Sequence, residues 1–127
     1  RLGMQLGPDV AERFAWGKAV TGAQHDAACQ LRDTFTAWWQ SQLGNRILIL
    51  PTVPDIAPLL SATPQEIEAT RRLSHDLLLI AVLTGRPQVN IPATMLEGAP
   101  LGISLLGPRD SDALLVSMAT ALMQGNS

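Results

Sequence analysis

The sequence is short of the residues that most often carry chemistry: its 127 residues include one cysteine, one lysine and two histidines, and only 16% are charged. A lone Cys29 leaves no partner for a disulfide and no spacing for a zinc site. Set among Ala27, Ala28 and Leu31, it reads as a buried thiol. Nine basic against eleven acidic residues give a net charge of −2, and Arg71-Arg72 is the only basic pair. That scatter offers no electrostatic footprint for nucleic acid or for an anionic membrane. The longest apolar run, Leu77 to Leu83, falls far short of the roughly 20 residues that span a bilayer. No basic stretch leads into an apolar run with a cleavage site, which argues against secretion and for a cytoplasmic location. The chain opens at Arg1 rather than Met, as a trimmed or proteolysed product would.

Apolar residues are plentiful at 46%. That fraction excludes intrinsic disorder, and a chain of this length is expected to form one unit over residues 1–127. A small body has little interior in which to hide so much apolar surface, so part of it is expected to face a partner. Neither an internal repeat nor a low-complexity segment interrupts the chain.

Local signals then place the elements. Asp9 and Glu12 have capping-box spacing before a short helix over Val10–Trp16 that stops at Gly17. Thr21 and Gln24 repeat the spacing before a longer helix to Leu43, with Gly44 free to take a left-handed C-cap. On that helix Ala27, Leu31, Phe35, Trp38 and Trp39 recur every three or four residues, the pattern of a buried face. Ile47–Leu50 reads as a central strand, and the prolines Pro51, Pro54 and Pro58 make the following segment an ordered loop. Thr63, Pro64 and Glu66 supply an N-cap, a first helical position and a completed capping box for a helix to Thr84. That helix is polar in its first half and apolar nearly all round in its second. Gln88–Ile91 and Gly102–Leu106 read as strands joined in a hairpin through Met95–Pro100. Through the helical crossover, Gln88–Ile91 is expected to pair in parallel with Ile47–Leu50. Asp110 or Ser111 should cap a last helix over Asp112–Met123, with Leu115, Ala119 and Leu122 inward. The expectation is an α/β architecture: a small mixed sheet flanked by helices.

Catalytic readings fail one after another. Ser74-His75-Asp76 contains the three residue types of a hydrolytic triad, but neighbours on a helix point about 100° apart and cannot converge. His25 and Asp26 have no His or Glu one turn on to complete a metal pair. Asp110 and Asp112 near a helix start are stabilised by its macrodipole without any metal. Gly102 and Gly107 bracket a strand instead of joining strand to helix, so they do not form a phosphate loop. Lys18 has no Gly/Ser-rich loop beside it. With no nucleophile and base together, no catalytic residue, metal site or cofactor is expected in this chain.

One stretch is more specific. Gly85-Arg86-Pro87-Gln88-Val89-Asn90-Ile91-Pro92 and then Pro100-Leu101-Gly102 to Gly107 lie between two apolar helices, with Leu48-Ile49-Leu50-Pro51-Thr52 upstream. Arg13-Phe14 and Gly17-Lys18-Ala19-Val20-Thr21 precede the long helix. In this order the segments resemble the C-terminal part of the amidase signature family, and the resemblance covers most of the chain. In that family the chemistry is done by a lysine and two serines within a Gly/Ser-rich segment of the N-terminal half, and no position here matches them. The resemblance therefore implies the scaffold and one cleft wall of a carboxamide hydrolase that works through an acyl-serine, inactive alone.

It also implies substrate-side positions. Thr52 and Val53 would lie at the rim of the cleft. Relatives acting on glutamine-like amides carry an acidic residue about ten positions before the glycine of this stretch. Counting back from Gly85 reaches His75, so a different substrate is implied. The expected partner is the N-terminal half of the same amidase or another copy of this chain, most simply a two-fold dimer, and a small amide binds only in the intact enzyme. The other reading kept open is a freestanding binding or assembly domain derived from that fold.

Overall fold

In the computed structural model, which describes residues 7–125, the elements run α1 (Pro8–Ala19), α2 (Gly22–Leu43), β1 (Leu48–Pro51), α3 (Pro64–Thr84), β2 (Gln88–Leu96), β3 (Ala99–Leu106) and α4 (Asp112–Gln124). Contacts divide the chain into two units, Arg1–Thr34 and Phe35–Ser127, with the boundary inside α2.

In the first unit, α1 begins one residue before Asp9, with Gly7 at the N-cap and Pro8 in the first turn. Asp9 therefore lies within the helix, past its N-cap position, and Gly17 does not end it: the chain leaves helical geometry only at Val20. The capping box at the start of α2 forms as expected. Thr21 N–H donates to Gln24 Oε1 at 2.9 Å and Gln24 N–H donates to Thr21 Oγ1 at 3.3 Å. Leu31 is 71% exposed and Cys29 only half-buried, so neither the buried stripe nor the buried thiol is present here.

In the second unit, Trp39 stands between Phe35 and Trp38 in edge-to-face contacts, with centroids 6.1 and 5.1 Å away. Of the expected stripe, Phe35 and Trp39 are half-buried while Trp38 is 54% exposed. Gly44, at φ +53°, takes the left-handed turn that closes α2. The guanidinium of Arg46 donates to the last carbonyls, those of Gln42 and Leu43. At the start of α3 the capping box is complete: Glu66 accepts from Thr63 N–H at 2.7 Å while Thr63 Oγ1 accepts from Glu66 N–H at 3.3 Å. The helix ends at Thr84, with Gly85 left-handed at φ +63°.

The sheet corrects one expectation. Its order is β1-β3-β2, and both pairings are antiparallel. Leu50 lies opposite Ser104, which lies opposite Asn90. The strands β1 and β2 thus run the same way across α3, as a crossover requires, but β3 has entered between them. A tight hairpin brings β3 back along β2 and gives it the central place, so β1 never pairs with β2. Both strands of the hairpin are longer than expected, because the reversal is confined to Glu97 (φ 51°) and Gly98 (φ 80°), the pair of positive φ values that suits a hairpin's right-handed twist. Pro92 sits on the edge strand β2, where a register shift follows between Pro92 and Thr94.

The core gathers at one end of this sheet: Leu50, Ile91, Leu105 and Leu106, with Leu115 and Ala119 of α4. Leu122, expected inward, is 46% exposed. Ser111 occupies the N-cap of α4, but its hydroxyl donates back to Pro108 O at 2.7 Å. Among the described residues the most buried charge is Arg86, 6% exposed. Its Nη1 donates to Gly107 O at 3.3 Å; its Nη2 donates to Gln40 Oε1 at 2.7 Å and to Gly44 O at 3.4 Å. One guanidinium thereby joins the end of α2 to the end of β3. Beside it, Arg109 donates from Nε and Nη2 to the carbonyl of Thr84, at 3.1 and 2.9 Å, where the macrodipole of α3 favours a cation.

Candidate functional site

Strand alternation puts Gln88 and Asn90 on the same face of β2, and the register puts Ser104 opposite Asn90. Thr52 follows β1 directly, and its N–H donates to Gly102 O at 3.2 Å, which carries the ladder one step past the strand. These four side chains are hydrogen-bonded together. Gln88 Nε2 donates to Ser104 Oγ at 2.7 Å. The Thr52 and Ser104 hydroxyl oxygens are 2.8 Å apart, and Thr52 Oγ1 donates to Asn90 Oδ1 at 2.6 Å. Because a hydroxyl has one hydrogen and that of Thr52 goes to Asn90, Ser104 must be the donor to Thr52. Ser104 is fully buried, and the arrangement satisfies it as donor and as acceptor. Asn90 lies over Gly102, where a Cβ would collide with its Oδ1. Glycine is what lets the amide settle on the sheet.

The cluster is neutral. It holds no carboxylate, imidazole or amine, so neither hydroxyl has a base to activate it, and what the group can do is recognise by hydrogen bonding. Of the residues expected at a substrate cleft, Thr52 is at its centre and Val53 follows it, half-buried. His75 is exposed on α3 and makes no hydrogen bond or ion pair among the described residues, so the structure does not bring it into this cluster. Sequence reasoning missed Gln88, Asn90 and Ser104 as site residues. The signal was there: polar residues two apart in β2, and a lone serine inside the apolar run Ile103–Leu106. It also missed a contact in the first unit, where Cys29 Sγ lies 3.7 Å from His25 Nε2 and Asp26 Oδ1 lies 3.2 Å from His25 Nδ1. Among the described residues no three His, Cys, Asp or Glu side chains gather as metal ligands, and no helix is long and apolar enough to cross a membrane.

The fold is that of amidases. A bacterial aryl acylamidase of the amidase signature family superposes with a TM-score of 0.73 over 94% of this chain and 26% of its own, at 18% identity. In sequence, "Amidase 1" of Arabidopsis thaliana is 29% identical over 119 residues. One component of the glutamyl-tRNA(Gln) amidotransferase of Streptococcus pneumoniae is 31% identical over 123 residues. The two matches cover 93% and 91% of this chain but 28% and 25% of those proteins, so the chain spans about a quarter of the length of the curated relatives it matches. No protein-family model matches it. The chain is related to the amidase signature family and corresponds to a C-terminal part of its members.

Proposed function

We propose that this chain is the C-terminal scaffold and one wall of the substrate cleft of an amidase, and that it is inactive alone. The whole enzyme would hydrolyse a carboxamide through an acyl-serine formed in the part that this chain lacks. One observation carries the reading: the polar cluster around Thr52 can recognise but cannot catalyse, since its hydroxyls are bonded only to one another and to neutral amides. The open apolar surface of α2 and α3, with Trp38 54% and Val82 74% exposed, supports a covering partner. That partner would be the N-terminal half of the same amidase or a second copy of the chain.

The purified chain, incubated with a panel of aliphatic and aryl amides, should give no turnover. Activity that co-purifies with it and vanishes on substituting one of its serines would refute the proposal. His75, at the substrate-side position implied by the resemblance, should act only within the intact enzyme. There His75→Ala should change the relative kcat/KM among amides and leave stability unchanged. Equal loss for every substrate, or none, would remove His75 from the cleft.

A further inference from the structure

We propose that Asn90 is the specificity-determining residue of this wall: its side-chain NH2 group is the donor offered to an acceptor oxygen of the substrate. This rests on the reading of the Thr52 cluster as part of a substrate cleft. The bonds run in one sense, Gln88 Nε2 to Ser104 Oγ, Ser104 Oγ to Thr52 Oγ1, Thr52 Oγ1 to Asn90 Oδ1. Each hydroxyl has one hydrogen, and in this arrangement each finds an acceptor. Were the Asn90 amide turned over, Thr52 Oγ1 would accept from both Asn90 Nδ2 and Ser104 Oγ, and its own hydrogen would have no acceptor left in the cluster unless the bonds through Ser104 and Gln88 also reversed. The orientation in the structure is the one in which every hydroxyl hydrogen of the cluster meets an acceptor, and the turned amide would forfeit the bond from Thr52. The Asn90 carbonyl is thereby engaged, and its Oδ1 is packed on Gly102. The side chain itself is exposed, and its NH2 group keeps two donors and no acceptor.

The substrate class follows from that chemistry. A neutral double donor donates to a carbonyl, carboxamide or carboxylate oxygen, and an ammonium finds no acceptor on the NH2 group. The favoured substrates are amides with an acceptor oxygen at this point, and amides bearing a cationic amine there are disfavoured.

The test uses the full 127-residue chain, 15N-labelled, with sodium acetate, acetamide and methylammonium chloride as probes. The Asn90 side-chain NH2 resonances are assigned by their disappearance in Asn90→Asp. Acetate and acetamide should shift them saturably and methylammonium should not. Thr52→Val removes the hydroxyl that holds the amide, and the preference for the oxygen probes should fall about tenfold. Thr52→Ser should restore it. Should Thr52→Val fail to fold by circular dichroism, Gly102→Ala displaces the same amide from beneath and should give the same loss. Asn90 resonances that ignore both oxygen probes, or respond equally to methylammonium, overturn the proposal. The intact amidase separates this from the reading beneath it. Probe shifts without any amide hydrolysis by the intact protein keep the donor and remove the amidase. Hydrolysis whose relative kcat/KM for neutral and cationic amides is unchanged by Asn90→Asp removes the donor and keeps the amidase.

Discussion

Replacing Arg86 by Met should destabilise the second unit by about 2–3 kcal/mol, a figure that follows from what its guanidinium touches. Met keeps the length and apolar stem of the side chain, so the change isolates the charged head. Three acceptors lose their donor, and they differ in how easily water can replace it. Gln40 is exposed and can turn outward. Gly44 is half-buried and its carbonyl can be partly hydrated, whereas Gly107 is buried and its carbonyl is stranded. One fully and one partly unmet carbonyl, at roughly 1–3 kcal/mol for the former and less for the latter, give the figure above. An opposing effect is real. No carboxylate neutralises Arg86 among its hydrogen-bond partners, and removing a buried charge relieves a desolvation penalty of several kcal/mol. The prediction is that the lost bonds win, because the guanidinium meets the carbonyl end of α2, where a cation is favoured. Urea unfolding followed by Trp fluorescence suits the question, since Trp38 and Trp39 lie just before Gln40 on α2. The midpoint should fall by about 1–2 M. Lys at this position keeps the charge without the planar fork and should also be destabilised. An Arg86→Met chain as stable as the parent, or more so, would refute the reasoning and show that the buried charge is a net cost.

Gly102→Ala should push the Asn90 amide off the sheet and break its bond from Thr52, at a stability cost of about 1 kcal/mol; an unchanged Asn90 environment by NMR would contradict this. The Glu66 carboxyl is held below its ordinary value of 4.5, first by the backbone N–H of Thr63 and then by its hydroxyl. Its contribution should therefore be fully present above that value and be lost as pH falls through the lowered one, fraying the start of α3; an NMR titration in which Glu66 behaves ordinarily would count against it. With β1 and β2 paired on one side only and apolar faces of α2 and α3 open, the chain should associate at micromolar concentration. Light scattering that returns a monomer would end that expectation.

What was legible in the sequence was local. Thr63, Pro64 and Glu66 fixed the start of α3, because a cap is decided by side chains a few residues apart. The turn at Glu97–Gly98 was legible as a hairpin, though its two-residue length was not. Strand order was hidden: the helical crossover sets the direction of β2 relative to β1, but only the returning β3 decides which strand sits between them. The stripe on α2 carried the period of a buried face, yet Leu31 and Trp38 are open, since periodicity tells which residues share a face and not whether anything covers it. At the site, Thr52 came through resemblance, while Asn90 and Ser104 needed the register to bring them together.

The position of β3 bears on how the chain reaches its folded state. The hairpin of β2 and β3 closes through a two-residue turn and can form within microseconds, needing nothing from the rest of the chain. Strand β1 can join only by meeting β3, pairing Leu48 with Leu106 across the whole of α3 and β2. Because β3 follows β1 by more than forty residues, the apolar residues of β1 cannot meet their partner strand until Leu106 has been made. Recognition inherits that order: Thr52 reaches Asn90 and Ser104 only when β1 docks, and the cluster is completed by the slowest contact in the sheet.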